Sequence, residues 1–223
     1  GYDLELYDEL FSEKFELLQE LNRHERVTWS GKHRPSLHQN EIAPRPKQRE
    51  LPIWLGVGGS KESALRAGQA AAGCAIAILR GSPEPFKPLA DEYRQAGAAA
   101  GHPPHALRVA ITSHGFVGKN AEQAVNHYFP YYANYKMMRS GRKVEKAELF
   151  EAVAAHDALA VGGPDEIVEK ILYQHEMFGH DRYLLQIDIG QPLKQVAEAI
   201  ELLATKVAPA VRKAIAAGNA SKA

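Results

Sequence analysis

A single cysteine, Cys74, leaves no partner for an intrachain disulfide and no basis for a cysteine-rich metal cluster. Net charge is lacking as well. The 27 Lys and Arg residues balance 27 Asp and Glu, so no overall field draws the chain to nucleic acid or an anionic membrane. No apolar run approaches the ~20 residues of a membrane-spanning helix. The stretch Gly1 to Phe11 is acidic and amphipathic, unlike a signal peptide. His33 and His38 lack a tidy set of companion ligands, so no metal site is expected. An initiator Met is missing too, and a helical pattern begins almost at once; we expect part of a longer protein. What remains is a chain of 223 residues, 45% hydrophobic and 24% charged, which predicts a single soluble, cytoplasmic domain with its own core.

Leu6, Leu10, Phe11, Phe15, Leu17, Leu18 and Leu21 recur at helical spacing and predict a helix from about Leu4 to Arg23. Val27 to Gly31 reads as a short extended stretch. The polar segment Lys32 to Glu50 follows, where Pro44 and Pro46 exclude a helix. Beyond it, brief apolar runs alternate with helical patterns. Strands are predicted at Pro52 to Val57, Cys74 to Leu79, Arg108 to Ser113 and Tyr183 to Ile189. Helices are predicted from Lys61 to Ala72, Pro83 to Ala100, Asn120 to Met138, Pro164 to Phe178 and Leu193 to Ala217, with a weaker one within Gly141 to Leu159. Residues Gly218 to Ala223 read as a frayed tail. Strands this apolar imply an α/β fold, a parallel sheet covered by helices. Four strands are too few for a closed parallel barrel, so missing strands or a partner copy are expected.

The clearest chemical feature is the glycine-rich run Gly56 to Ser63 between a strand and a helix. Gly58 and Gly59 permit a tight turn and close approach of a ligand. The first helical turn presents free amides and a favourable dipole to an anion, and Ser60 and Ser63 can add hydroxyls. Ser60 suits the N-cap equally well. The run is not a Walker loop, because Lys61 precedes Glu62, and it lacks the glycine spacing of a dinucleotide fingerprint. A phosphate site and a plain strand-to-helix turn both fit the spacing.

The runs LPIWLGVGGS at 51–60 and ESALRAG at 62–68 are similar to the fifth-strand region of the luciferase-like monooxygenase superfamily. The preceding run TWSGKHR at 28–34 is similar too, and similarity continues in order through Tyr93-Arg94, Gly101-His102 and HGFV at 114–117. It then runs through VGGPDEIVEKI at 161–171, FGHDRYLLQ at 178–186 and VAP at 207–209. The resemblance implies a (β/α)8 TIM barrel of which this chain carries about four βα units, strands five to eight. It also implies a small organic substrate and a flavin at the barrel mouth. That flavin would be reduced FMN, supplied by a separate reductase and used with oxygen, or else a deazaflavin used for hydride transfer. By position, Gly58, Gly59 and Ser60, with Ser63, would hold the flavin phosphate. Gly56 stands where some relatives place a carboxylate or Gln. A homo-oligomer, or pairing with a missing N-terminal half, would complete the barrel, and a non-catalytic flavin-binding relative is the alternative from another class.

Barrel chemistry sits at the C-terminal ends of strands. His114 follows a strand and is the candidate catalytic residue, as a hydrogen-bonding group or proton donor; a packed loop histidine is the bland alternative. Leu184, Gln186 and Asp188 share a strand face, so Gln186 could meet the flavin or form a structural polar pair with Asp188. Arg80 could meet phosphate or solvent. Residues 25–50, with Trp29, suit a lid or a connector. The aromatic group from Tyr128 to Tyr135, Phe129 included, reads as packing or an interface, and Cys74 as an inert core residue.

Overall fold

The apolar stripe from Leu6 to Leu21 folds as a helix, α1 (Tyr7–Arg23), with Phe15 and Leu17 buried. The computed structural model describes residues 3–220 and divides into two compact units, Gly1–Ile53 and Trp54–Ala223. In the first unit, α1 is followed by antiparallel strands β1 (Arg26–Trp29) and β2 (Leu37–Glu41), with Arg26 opposite Glu41 and Trp29 opposite Leu37. Side chains tie the remaining backbone down. The Glu13 carboxylate accepts the amides of Lys32 at 2.7 Å and His33 at 3.1 Å. The Arg45 guanidinium donates to the terminal carbonyls of the helix at Leu21, Asn22 and His24. Asn22 and Leu51 exchange two hydrogen bonds, at 2.8 and 2.9 Å. The polar segment Lys32 to Glu50 therefore contains a strand that its sequence does not announce. Every residue of β2 except Leu37 is exposed, so no alternation marks it.

The second unit is built on a sheet of five parallel strands among the described residues, where the sequence predicts four. These are β3 (Trp54–Val57), β4 (Gly73–Ala77), β5 (Val109–Val117), β6 (Ala160–Gly162) and β7 (Arg182–Gln186). Their order is β3-β4-β5-β6, with β7 also paired to β5. The extra strand, β6, has three residues, all buried, and is too short for either period to show. The sheet is open: no closed barrel is seen among the described residues.

Helices α2 (Lys61–Gln69), α3 (Lys87–Ala99) and α6 (Pro164–Phe178) supply Ala64, Ala90 and Phe178 to a core with Val57, Ile76 and Ile111. Helices α2 and α3 pack closely because Gly68 has no side chain; a Cβ there would run into the Tyr93 carbonyl oxygen. Two further helices follow β5, α4 (Ala121–Ser140) and α5 (Lys146–Ala152), and bury Tyr128 and Leu149 against Phe116 and Val161. The last helical segment comprises α7 (Leu193–Leu202), a π-helical turn over Leu203–Val207 and α8 (Ala208–Ala220). The tail expected to fray from Gly218 is helical as far as Ala220, and residues 221–223 lie outside the described residues. On the other side of the sheet, Gly56, Ala75, Ala110 and Arg182 share one register row. Leu184 is 47% exposed on that side and Gln186 is exposed. The sheet thus has one face packed by helices and one bearing small or exposed residues.

Candidate functional site

Parallel pairing places the C-terminal ends of β3, β4, β5 and β7 along one edge of the sheet. At the end of β3 the chain turns through Gly58 and Gly59 into α2. Gly59 has φ +134°, a conformation that strains any residue with a Cβ. A Cβ built at Gly56, Gly58 or Gly59 would meet nothing within 4 Å, so the space over this turn is open. Ser60 is the N-cap: its Oγ accepts the Ser63 amide at 3.2 Å. The same hydroxyl donates to the Glu62 carboxylate at 2.9 Å. Glu62 is held below the usual carboxylate range, first by its own backbone amide and then by that hydroxyl. Lys61 is drawn away to Glu92, at 2.6 Å. The turn and first helical turn therefore form an open cradle of amides, with the Glu62 carboxylate turned onto its own amide and the Ser60 hydroxyl.

His114 lies on β5 and is only 8% exposed. Its Nδ1 is buried and has no hydrogen-bond partner. Burial, then the charges of Lys136 and Arg139, keep the imidazole below its ordinary pKa and hence neutral near pH 7. Tyr135 meets the ring edge-on with centroids 5.4 Å apart. Both residues line a cavity of about 560 Å³ bounded by Leu79 and Arg80 after β4, by the C-terminal part of α4, and by Arg142. None of Gly58 to Ser63 lines this cavity.

Gln186 is the register partner of His114 on β7, and its Nε2 donates to Thr112 Oγ1 at 3.4 Å. Asp188 does not pair with Gln186; its Oδ1 accepts the Gly190 amide at 2.8 Å. The structure brings His114 and Gln186 together, while the Gly58–Ser63 turn lies on β3, with β4 between it and β5. Cys74 is buried and its thiol is pushed up to about 12 by burial.

Lys136 and Arg139 were not singled out by the sequence, yet both line the cavity. With Tyr132 and Tyr135 they fall at i, i+3, i+4 and i+7, one face of α4. That spacing was the available signal. The tyrosines divide their work: Tyr128 is fully buried against Phe116 and Tyr132, whereas Tyr132 and Tyr135 reach the cavity.

The family model for luciferase-like monooxygenases matches residues 1–181. Among solved structures, the chain is similar to the monooxygenase RslO1 from Streptomyces bottropensis, with TM-score 0.75 and 23% identity over 93% of this chain and 62% of that one. It is also similar to the oxygenating constituent of 3,6-diketocamphane monooxygenase of Pseudomonas putida, solved with FMN, at TM-score 0.69 and 17% identity over 92% of this chain and 63% of that one. An F420-dependent secondary alcohol dehydrogenase, solved with an F420–acetone adduct, matches at TM-score 0.64 and 16% identity over 95% of this chain and 64% of that one. At these identities the likeness is one of fold. The chain spans less than two thirds of the length of each of these three proteins. A search of curated proteins finds no match.

Proposed function

Because this chain belongs to the luciferase-like monooxygenase family, we propose that in its intact form it is a flavin-dependent monooxygenase that uses reduced FMN and oxygen on a small organic substrate. The observation that carries this reading is the open cradle at Gly58, Gly59 and Ser60, set at the C-terminal edge of a parallel sheet. Bound reduced FMN would supply the electrons for oxygen activation, and this chain's residues would position it and keep water away. The amides of Gly59, Ser60 and Lys61 would receive the phosphate, and the Ser60 hydroxyl would turn from Glu62 to the ligand. His114 would offer its unpartnered Nδ1 to the flavin ring or the substrate. Gln186, beside it, would exchange its long contact with Thr112 for one to the isoalloxazine edge.

In this reading β3, β4, β5 and β7 are strands five to eight of a (β/α)8 barrel. The remaining strands would come from chain outside this sequence or from a partner copy. The side of the sheet that exposes Leu184 and Gln186 would then face the barrel interior. A second reading, a deazaflavin-dependent oxidoreductase, draws support from the likeness in fold to the F420-dependent dehydrogenase.

Fluorescence titration of this chain, and of a longer protein containing it, with FMN and F420 tests both readings. Saturable quenching of FMN supports the first and a preference for F420 the second. Absence of binding to either form of the protein rejects both.

A further inference from the structure

The cavity beside His114 carries an unusual concentration of positive charge. Arg80, Lys136, Arg139 and Arg142 line it, and no acidic side chain does. Arg142 is paired to Glu148. Among the described residues, Arg80, Lys136 and Arg139 have no carboxylate within ion-pairing distance. Lys136 is half-buried, with its ammonium 5.7 Å from the centre of the Tyr132 ring. Burial, then Arg80 and Arg142, depress its pKa, so these charges sense one another across the cavity. Glu148, held by Arg142, offsets these charges only in part; like charges gathered with so little counter-charge destabilise a fold, and a bound anion removes that cost.

A second observation points the same way. His114, nine-tenths buried, lines the cavity with an Nδ1 that nothing satisfies. A buried polar atom without a partner destabilises the fold unless a ligand supplies one. The cavity volume of about 560 Å³ lies in the range of small-molecule sites.

We propose that this cavity receives the acid group of the organic substrate, a carboxylate or sulfonate, through Arg80, Lys136 and Arg139, with His114 and Tyr135 against the body of the molecule. The site would thus select anionic substrates over neutral ones of the same shape. The word substrate rests on the flavin reading above; the anion site itself does not. Because the cavity and the Gly58–Ser63 turn share no residue, the acid group and the flavin phosphate would occupy separate sites.

The test uses benzenesulfonate and its neutral isostere benzenesulfonamide as probes, with the His114 ring followed by NMR and assigned through His114→Gln. Benzenesulfonate is expected to bind at least about tenfold more tightly than the sulfonamide, to weaken as salt rises, and to shift the His114 signals. Lys136→Gln with Arg139→Gln should abolish that preference while FMN affinity is retained; Arg139 is exposed and Lys136 only half-buried, so the thermal midpoint should hold. Equal binding of the two probes overturns the proposal. So does parallel loss of FMN affinity in the double variant, with FMN displacing benzenesulfonate, because the cavity would then be the cofactor's own phosphate site. If benzenesulfonate binds as expected and FMN binds to no form of the protein, the anion site stands and the flavin reading fails.

Discussion

The Ser60 hydroxyl donates to the Glu62 carboxylate at 2.9 Å, directly at the N-terminus of α2. The carboxylate also takes its own amide, and it holds the Ser60 hydroxyl that the proposed phosphate would need. Glu62→Gln removes the competing charge and the repulsion. FMN affinity is expected to rise severalfold in a fluorescence titration, and an unchanged or weakened affinity would place the phosphate elsewhere.

Gly59 makes two distinguishable demands. Its φ of +134° disfavours any side chain, and its open surroundings leave room for a ligand. Gly59→Ala should cost stability through strain, about 1–3 kcal/mol by denaturant melt. Gly59→Asp should cost a similar amount and, in addition, set a carboxylate against the phosphate. We expect FMN affinity to fall at least about tenfold further in the Asp variant than in the Ala variant. Equal losses would mean that strain alone is at work.

The imidazole of His114 is kept below its ordinary pKa by burial first, then by Lys136 and Arg139. Replacing either cation with Gln makes protonation easier, so the His114 titration followed by NMR should move upward. It should stay below about 6.5, because burial, the larger cause, is untouched. An unmoved titration would separate these side chains from the cavity.

His180 is 5% exposed, and its Nδ1 has no partner. Burial, with His175 alongside at a ring-centroid distance of 5.1 Å, pushes it down to about 4. The folded state then binds fewer protons than the unfolded state between about pH 4 and 6.5. Stability from this group is therefore present above pH 6.5 and lost as pH falls toward 4, by on the order of 3 kcal/mol in full. In His180→Leu that slope should flatten relative to the parent in urea melts across the same window. Parallel slopes would show that His180 protonates freely in the folded state.

Much of the second unit is legible in its punctuation. Pro164 opens α6 and Gly179, at φ +55°, closes it, while Ser60 caps α2 as its position before the helix suggests. The three-residue β6 and the exposed β2 escape because neither carries a period. The residues of the family resemblance prove informative in a different sense. Tyr93 donates to the Ala72 carbonyl at 2.9 Å, Arg94 to Phe178 at 2.6 Å, and the Asp181 carboxylate accepts the Val109 amide at 2.8 Å. Tyr93, Arg94 and Asp181 hold loops and strand starts in place, and none of these three lines the His114 cavity. The cationic face of α4 was harder to find. Lys136 and Arg139 look like solvated charges until the fold sets Arg80 and His114 opposite them.

The central claim, that the turn into α2 receives a flavin phosphate, is tested most directly by amide chemical shifts on adding FMN to the isotope-labelled protein. Large, saturable shifts at Gly59, Ser60 and Lys61, absent with riboflavin, are the predicted result. Binding of FMN that leaves those amides unmoved would contradict it.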